Sequence, residues 1–410
     1  VATLAAVITL GNCWSWLLRS CAQPPVIGEV LAGFLLGPSL RGALFPEYDH
    51  WLIPSAADDP GGWVPAAIQA VSQIGVILYM FVVGLELNSA RLAGQAHAAV
   101  AVSHTSIVVP IVLGCLLAVA IYPRYSHRGV PFESFALFLG AAMAVTAFPV
   151  LARILTDGGL HQTELGSVAL SCAAADDVSA WCLLALVMGV AQADLPSAVK
   201  TIVASVAFVA LMLLIACPLA QRLIRRWDEG AAPLPSSVVA ATFVAVLVSA
   251  LATEAIGIHS LLGAFLLGAV IPHDSRVAIE FRGKLKETVT VLVLPAFFAY
   301  IGMRTQITLL DSTSDWFWCG VIVLTATAGK FGGTLCSTRR TGMSWRYAAA
   351  LGVLMNARGL MELIVRNIGQ DLGIISPALF AMLVVMALAT TAMTAPLLDR
   401  LQPAANPSHP

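Results

Sequence analysis

Apolar residues run through this chain in blocks of about 20, the length a helix needs to cross a bilayer. Short polar stretches interrupt them, such as PSAADDPGGW (54–63), YPRYSHRG (122–129) and RWDEGAAPLPSS (226–237). Gly, Pro and charged residues cluster there, the chemistry of turns. The blocks predict about thirteen transmembrane helices, at 2–19, 26–40, 64–87, 93–122, 132–155, 164–191, 197–227, 237–256, 258–273, 284–303, 314–337, 344–369 and 376–400. The expected fold class is an all-α polytopic membrane protein, with no soluble regulatory domain between spans.

Composition agrees. Of 410 residues, 59% are hydrophobic and 11% charged, where soluble chains carry about 25% charge. Net charge is -1, so no basic surface suggests nucleic acid. The eight cysteines are scattered in apolar runs, without a CxxC. They read as small buried hydrophobes rather than metal ligands or disulfides. The first segment lacks a basic start and a cleavage signature, and reads as a span rather than a signal peptide. Loops after odd-numbered spans hold fourteen Lys and Arg, and those on the other side six. By the positive-inside rule this predicts a cytoplasmic C-terminus and an outward N-terminus.

A weak repeat sets the two ends of the chain against each other. IGEVLAGFLLG (27–37) lies over IHSLLGAFLLG (258–268), and LYMFVVGLEL (78–87) over AFFAYIGMRT (296–305). The spans then divide as 6+1+6: repeat one about 2–191, a linker helix about 197–227, and repeat two about 237–400. An odd number of intervening spans inverts the halves, as in many secondary transporters, whose sites lie at mid-membrane between broken helices. The fifth span offers such a break in AVTAFPVLAR (144–153), with Thr146 and Pro149. The twelfth offers LMNARGLMEL (354–363), with Asn356, Arg358, Gly359 and Glu362. Proline removes one helical hydrogen bond, and two broken helices crossing would expose carbonyls that suit a cation.

Ionisable groups at mid-span cost at least a few kcal/mol each and need a reason. Arg358 and Glu362 are four apart on one helical face and can neutralise each other. Glu86 and Glu254 read as solvated span ends or caps, and His104 and His259 as packing residues. SCAAADDVSAWC (171–182) is different, because Asp176 and Asp177 stand side by side in an apolar run. Two such carboxylates in low dielectric cannot easily both be ionised. One of them can bind a proton or a small cation, but poorly both, which is the simplest chemistry for exchanging H+ against Na+ or K+. The other reading is a polar staple. Lys330, in LTATAGKFGGTL (324–335), could pair with Asp176 until a cation displaces it; snorkelling to an interface is its other reading. Gly329, Gly332 and Gly333 around it permit close helix approach.

At this point the sequence resembles the monovalent cation:proton antiporter superfamily, in the branch of bacterial sodium/proton antiporters, potassium-efflux systems and plant cation/proton exchangers. The motifs are QPPVIGEVLAGFLLGPSL, LYMFVVGLEL, AVTAFPVLARIL, AAADDVSAW, IHSLLGAFLLG, LPAFFAYIGM, TAGKFGG and MNARGLMELIVRNIG, in order along the chain. The resemblance implies an elevator mechanism, with a core of about 93–191 and 314–400 sliding against a homodimerising remainder. It implies Asp177 as the essential ion- and proton-binding carboxylate, Asp176 as its acidic partner, and Lys330 as the lysine paired with it. Thr146 with Pro149, and Asn356 to Gly359, would form the crossing of unwound helices. An adjacent Asp pair tends to accompany electrogenic exchange in that superfamily. The expectation is an antiporter of Na+ or K+ for H+ in a bacterial inner membrane, not an enzyme, needing no cofactor. Two rivals remain: an ion-coupled transporter of a small organic solute on the same fold, and a channel-like protein gated by the Asp pair.

Overall fold

A computed structural model of the chain describes residues 2–18, 23, 25–36, 63–86, 96–127, 129–191, 194–228, 234–303, 310, 312–359 and 373–401. These residues are almost wholly helical, and the one β contact among them is an isolated bridge between Ser126 and Ile375. In chain order the helices are α1 (Ala2–Leu18), α2 (Pro25–Leu36), α3 (Trp63–Glu86), α4 (Ala96–Tyr125), α5 (Phe132–Ala144), α6 (Phe148–Asp157), α7 (Glu164–Ala191), α8 (Leu195–Leu211) and α9 (Cys217–Asp228). They continue with α10 (Ser236–Ile256), α11 (Ser260–Val270), α12 (Arg276–Thr288), α13 (Leu294–Met303), α14 (Thr313–Arg340), α15 (Trp345–Met355) and α16 (Pro377–Leu401). Single π-turns at Met212–Ala216 and Val289–Val293 join α8 to α9 and α12 to α13.

Eight helical segments among the described residues are long and apolar enough to cross a membrane, counting α5 and α6 as one. Several remaining predicted spans appear as shorter apolar helices, such as α2, α11 and α15. The predicted span at 284–303 starts late: its helix begins at Arg276, with the polar segment RVAIEFRGKLKET capped by Ser275. That first half has Glu, Lys and Arg on most turns, so an apolar-run reading passes over it.

The helices pack in two sets. One holds α4 to α7 with α14 to α16, the other α1 to α3 with α10 to α13, while α8 and α9 link them. Glycine permits close crossings in the second set. A Cβ on Gly84 would lie 2.3 Å from the carbonyl oxygen of Phe265, and one on Gly268 would lie 2.3 Å from that of Phe81. Only bare backbones can approach this closely. Between the sets the contacts are sparse, among them Phe148 of α6 edge-on to Phe265 of α11 at 4.5 Å.

Candidate ion-binding site

The first set of helices is broken at its centre. α5 stops at Ala144, the chain runs extended through Val145 and Ala147, and α6 restarts at Phe148. Pro149 sits in the first turn of α6, where its missing N–H would have had no helical partner in any case. The break therefore precedes the proline rather than falling on it. α15 likewise stops at Met355, followed by Asn356 and the non-helical Ala357 and Arg358. The two interruptions meet, the Ala147 amide donating to the Ala357 carbonyl at 3.1 Å.

Ending α5 inside the protein leaves carbonyls without helical partners, at the negative end of its dipole. Two buried cations take them. Arg358 donates to the carbonyls of Met143 at 2.6 Å, Ala142 at 3.3 Å and Ala326 at 3.4 Å. The Lys330 ammonium donates to the Ala144 carbonyl at 2.6 Å. Thr391 fastens the second break, accepting from the Arg358 amide and donating to the Arg358 carbonyl. Arg358 thus seals the helix end; Glu362, its expected counter-charge, lies outside the described residues. Gly359 approaches α6, where a Cβ would lie 2.7 Å from the Val150 side chain. Asn356 borders a cavity of about 230 Å³ between α14, α15 and α16, and its Oδ1 has no hydrogen-bond partner.

α7 carries the two adjacent aspartates past this crossing. Asp176 is 0% and Asp177 1% exposed. Lys330 of α14, also 0% exposed, reaches Asp176 Oδ2 at 2.7 Å, so the sequence-predicted pair is formed. Three hydroxyls surround the same carboxylate. Ser103 donates to Oδ1 at 2.6 Å, Thr146 lies 2.9 Å from Oδ2, and Ser106 lies 2.9 Å from Oδ2 and 3.3 Å from Oδ1. Asp177 is the opposite case: buried, with Oδ1 lacking any hydrogen-bond partner. The two neighbours therefore occupy unlike environments, one with donors at both oxygens and one with an oxygen that has none.

Sequence reading did not single out Ser103 and Ser106. Their spacing of three puts them on one face of α4, which is the available signal, but serine is ordinary in apolar helices. His104 between them is exposed. His259 caps α11, its Nδ1 accepting from the Leu261 amide, with Trp181 against its ring. Glu254 is exposed as expected. Glu86 is not a solvated span end: it is buried and bound to Lys286 at 2.6 Å. Arg153, near the end of the fifth predicted span, lies buried in α6.

A transmembrane sodium/hydrogen exchanger family matches residues 3–400. The chain belongs to that family. Among curated relatives, it is 39% identical over 411 aligned positions to the Na(+)/H(+) antiporter NhaS4 of Synechocystis sp., covering 100% of this chain and 98% of that protein. It is 35% identical to cation/H(+) antiporter 18 of Arabidopsis thaliana, over 96% of this chain and 48% of the plant protein. It is 32% identical to K(+)/H(+) antiporter 1 of Saccharomyces cerevisiae, over 93% and 44%. The chain thus spans nearly all of the first relative and about half the length of the plant and yeast ones. In fold it resembles the sodium proton antiporter MjNhaP1 of Methanocaldococcus jannaschii, with a TM-score of 0.65, 13% identity, and coverage of 97% of this chain and 94% of that one.

Proposed function

We propose that this member of the sodium/hydrogen exchanger family exchanges a monovalent cation, Na+ or K+, for H+ across the membrane, with Asp177 as the group that binds cation and proton alternately. The observation that carries this reading is the contrast between the two aspartates. Both oxygens of Asp176 have partners among Lys330, Ser103, Ser106 and Thr146, while Asp177 keeps a bare oxygen beside it. A lone buried carboxylate is costly unless neutralised, and either a proton or a small cation does that. Competition for one group couples the two flows without any bond being made or broken.

Alternating access is then a movement of the set containing α4 to α7 and α14 to α16 against the set containing α1 to α3 and α10 to α13. The sparse contacts between the sets favour such sliding, and the inverted repeat read from the sequence fits it. In this reading the protein works as a homodimer in a bacterial inner membrane with its C-terminus in the cytoplasm, an orientation the excess of basic residues in odd-numbered loops supports. The relatives named for Na+ and for K+ leave both cations open.

Inverted vesicles from a host lacking its own sodium/proton antiporters, acidified by respiration, test this reading. Wild type should move protons on addition of Na+ or K+ and not of choline, and Asp177→Asn should be inserted but silent. Exchange retained by Asp177→Asn would remove Asp177 from the centre. No response of wild type to any alkali cation would move the reading to an organic solute.

A further inference from the structure

A second buried carboxylate with a bare oxygen lies away from the aspartate pair, on the seam between the two helix sets. Glu29 of α2 is 5% exposed, and its Oε1 accepts from Arg153 Nη2 of α6 at 3.3 Å. Its Oε2 is buried without a hydrogen-bond partner. Arg153 is already neutralised on its own helix, with Nε 2.9 Å from Asp157. Glu29, Arg153 and Asp157 thus set two carboxyl groups against one guanidinium. Glu29 also lines a half-open cavity of about 300 Å³, bordered by Asn12, Ser15, Arg153 and Thr290. The lining combines a carboxylate with hydroxyl and amide side chains, and the Thr290 carbonyl lies 3.5 Å from Arg153 Nη1.

We propose that Glu29 is a second site for a monovalent cation, a waiting position between the bulk solution and Asp177. Hard oxygen donors, two carboxyl groups against one guanidinium and room for an ion with several waters suit a partly hydrated alkali cation. Arg153 occupies only one carboxylate oxygen, so the ion takes the other and is held loosely enough to move on. Arg153 follows the helix break by six residues, about 9 Å along α6 at 1.5 Å per residue. The site is therefore near the crossing but separate from it. The step is binding only, with no covalent change, and it rests on the antiport reading for its purpose.

The test uses the full chain in detergent and in proteoliposomes, with Na+ and with thallium(I) as a stand-in for K+. In the Asp177→Asn protein, sodium or thallium NMR lines should still broaden on binding, and adding Glu29→Gln, which keeps shape and removes charge, should abolish the broadening. In the otherwise wild-type chain, Glu29→Gln should raise the apparent KM for cation by about 3–10-fold with Vmax within about two-fold, the pattern of lost ground-state binding. Arg153→Gln should tighten the residual binding, which a purely structural pair would not do. Broadening that is absent in Asp177→Asn, or indifferent to Glu29→Gln, overturns the proposal. Failure of wild type to exchange any cation would instead overturn the antiport reading and leave the NMR result standing by itself.

Discussion

Lys330 and Asp176 meet at 2.7 Å with neither side chain open to solvent. The contact ties α14 to α7 and, through the Ala144 carbonyl, both of them to the end of α5. One ammonium therefore answers two charges at once, a carboxylate and the partial charge of a helix end. That placement makes the pair part of the broken-helix architecture as well as part of the proposed ion site.

Lys330→Ala should accordingly destabilise the protein. Removing one partner of a buried pair leaves the other uncompensated, typically at about 3–5 kcal/mol, and here the Ala144 carbonyl is orphaned as well. Thermal unfolding in detergent should show a clear fall in Tm. Asp176→Asn in the Lys330→Ala background should recover part of it, since the stranded charge is gone. A Lys330→Ala protein as stable as wild type would mean that the pair contributes nothing to holding the crossing.

Ser103 and Ser106 should matter through Asp176. Each hydroxyl hydrogen-bonds the same buried carboxyl group, and removing one leaves that group short of a partner, at about 1–3 kcal/mol. Ser103→Ala and Ser106→Ala should each slow cation-dependent proton movement while leaving insertion intact. The double variant should fall short of the sum of the two, because both act on one carboxylate. Rates in inverted vesicles decide this; full activity of the double variant would show that Asp176 needs no support from α4.

What could be read from the sequence follows from how conspicuous each group is. Asp176, Asp177 and Lys330 stand out because a charge in an apolar run has almost no innocent explanation. Ser103 and Ser106 do not, since their importance arises only when α4 packs on α7, some 70 residues away. Glu86 was misread for the same reason, its partner Lys286 being 200 residues distant. Pro149 marked the right helix to break, but the extended residues lie before it, because proline is at home in a first helical turn. The long apolar helices were plain, whereas the polar first half of the α12–α13 helix carried no apolar signal.

Acid should weaken the fold through His161, in the turn between α6 and α7. It lies 4.0 Å from Glu86, beside Lys286. Burial lowers its pKa below the ordinary histidine value; Glu86 pulls upward and Lys286 downward. The unfolded chain then holds more protons than the folded one below about pH 6.5, so stability rises with pH across that window. The contribution is complete above the ordinary histidine range and lost as pH falls through and below it. His161→Gln should flatten the fall of Tm between about pH 7 and pH 5. An unchanged slope would show that His161 is as free to take a proton when folded as when unfolded.

Two adjacent glycines of α14 should respond with opposite signs to the same substitution. A Cβ on Gly333 would lie 3.0 Å from the Thr105 carbonyl oxygen and 3.2 Å from Val109 Cβ, against the helix that carries Ser103 and Ser106. Neither atom can swing aside without moving α4, so Gly333→Ala should cost about 1–3 kcal/mol as overpacking. Because α4 also positions the hydroxyls on Asp176, this variant should slow exchange too. Gly332 points about 100° away, and a Cβ there meets nothing within 4 Å. With no contact to disturb, Gly332→Ala should gain up to about 1 kcal/mol from better helix propensity. Tm in detergent together with vesicle exchange rates checks both at once. Equal effects at the two positions would mean that α4 and α14 do not cross through Gly333, and the hydroxyl cradle would lose its structural basis.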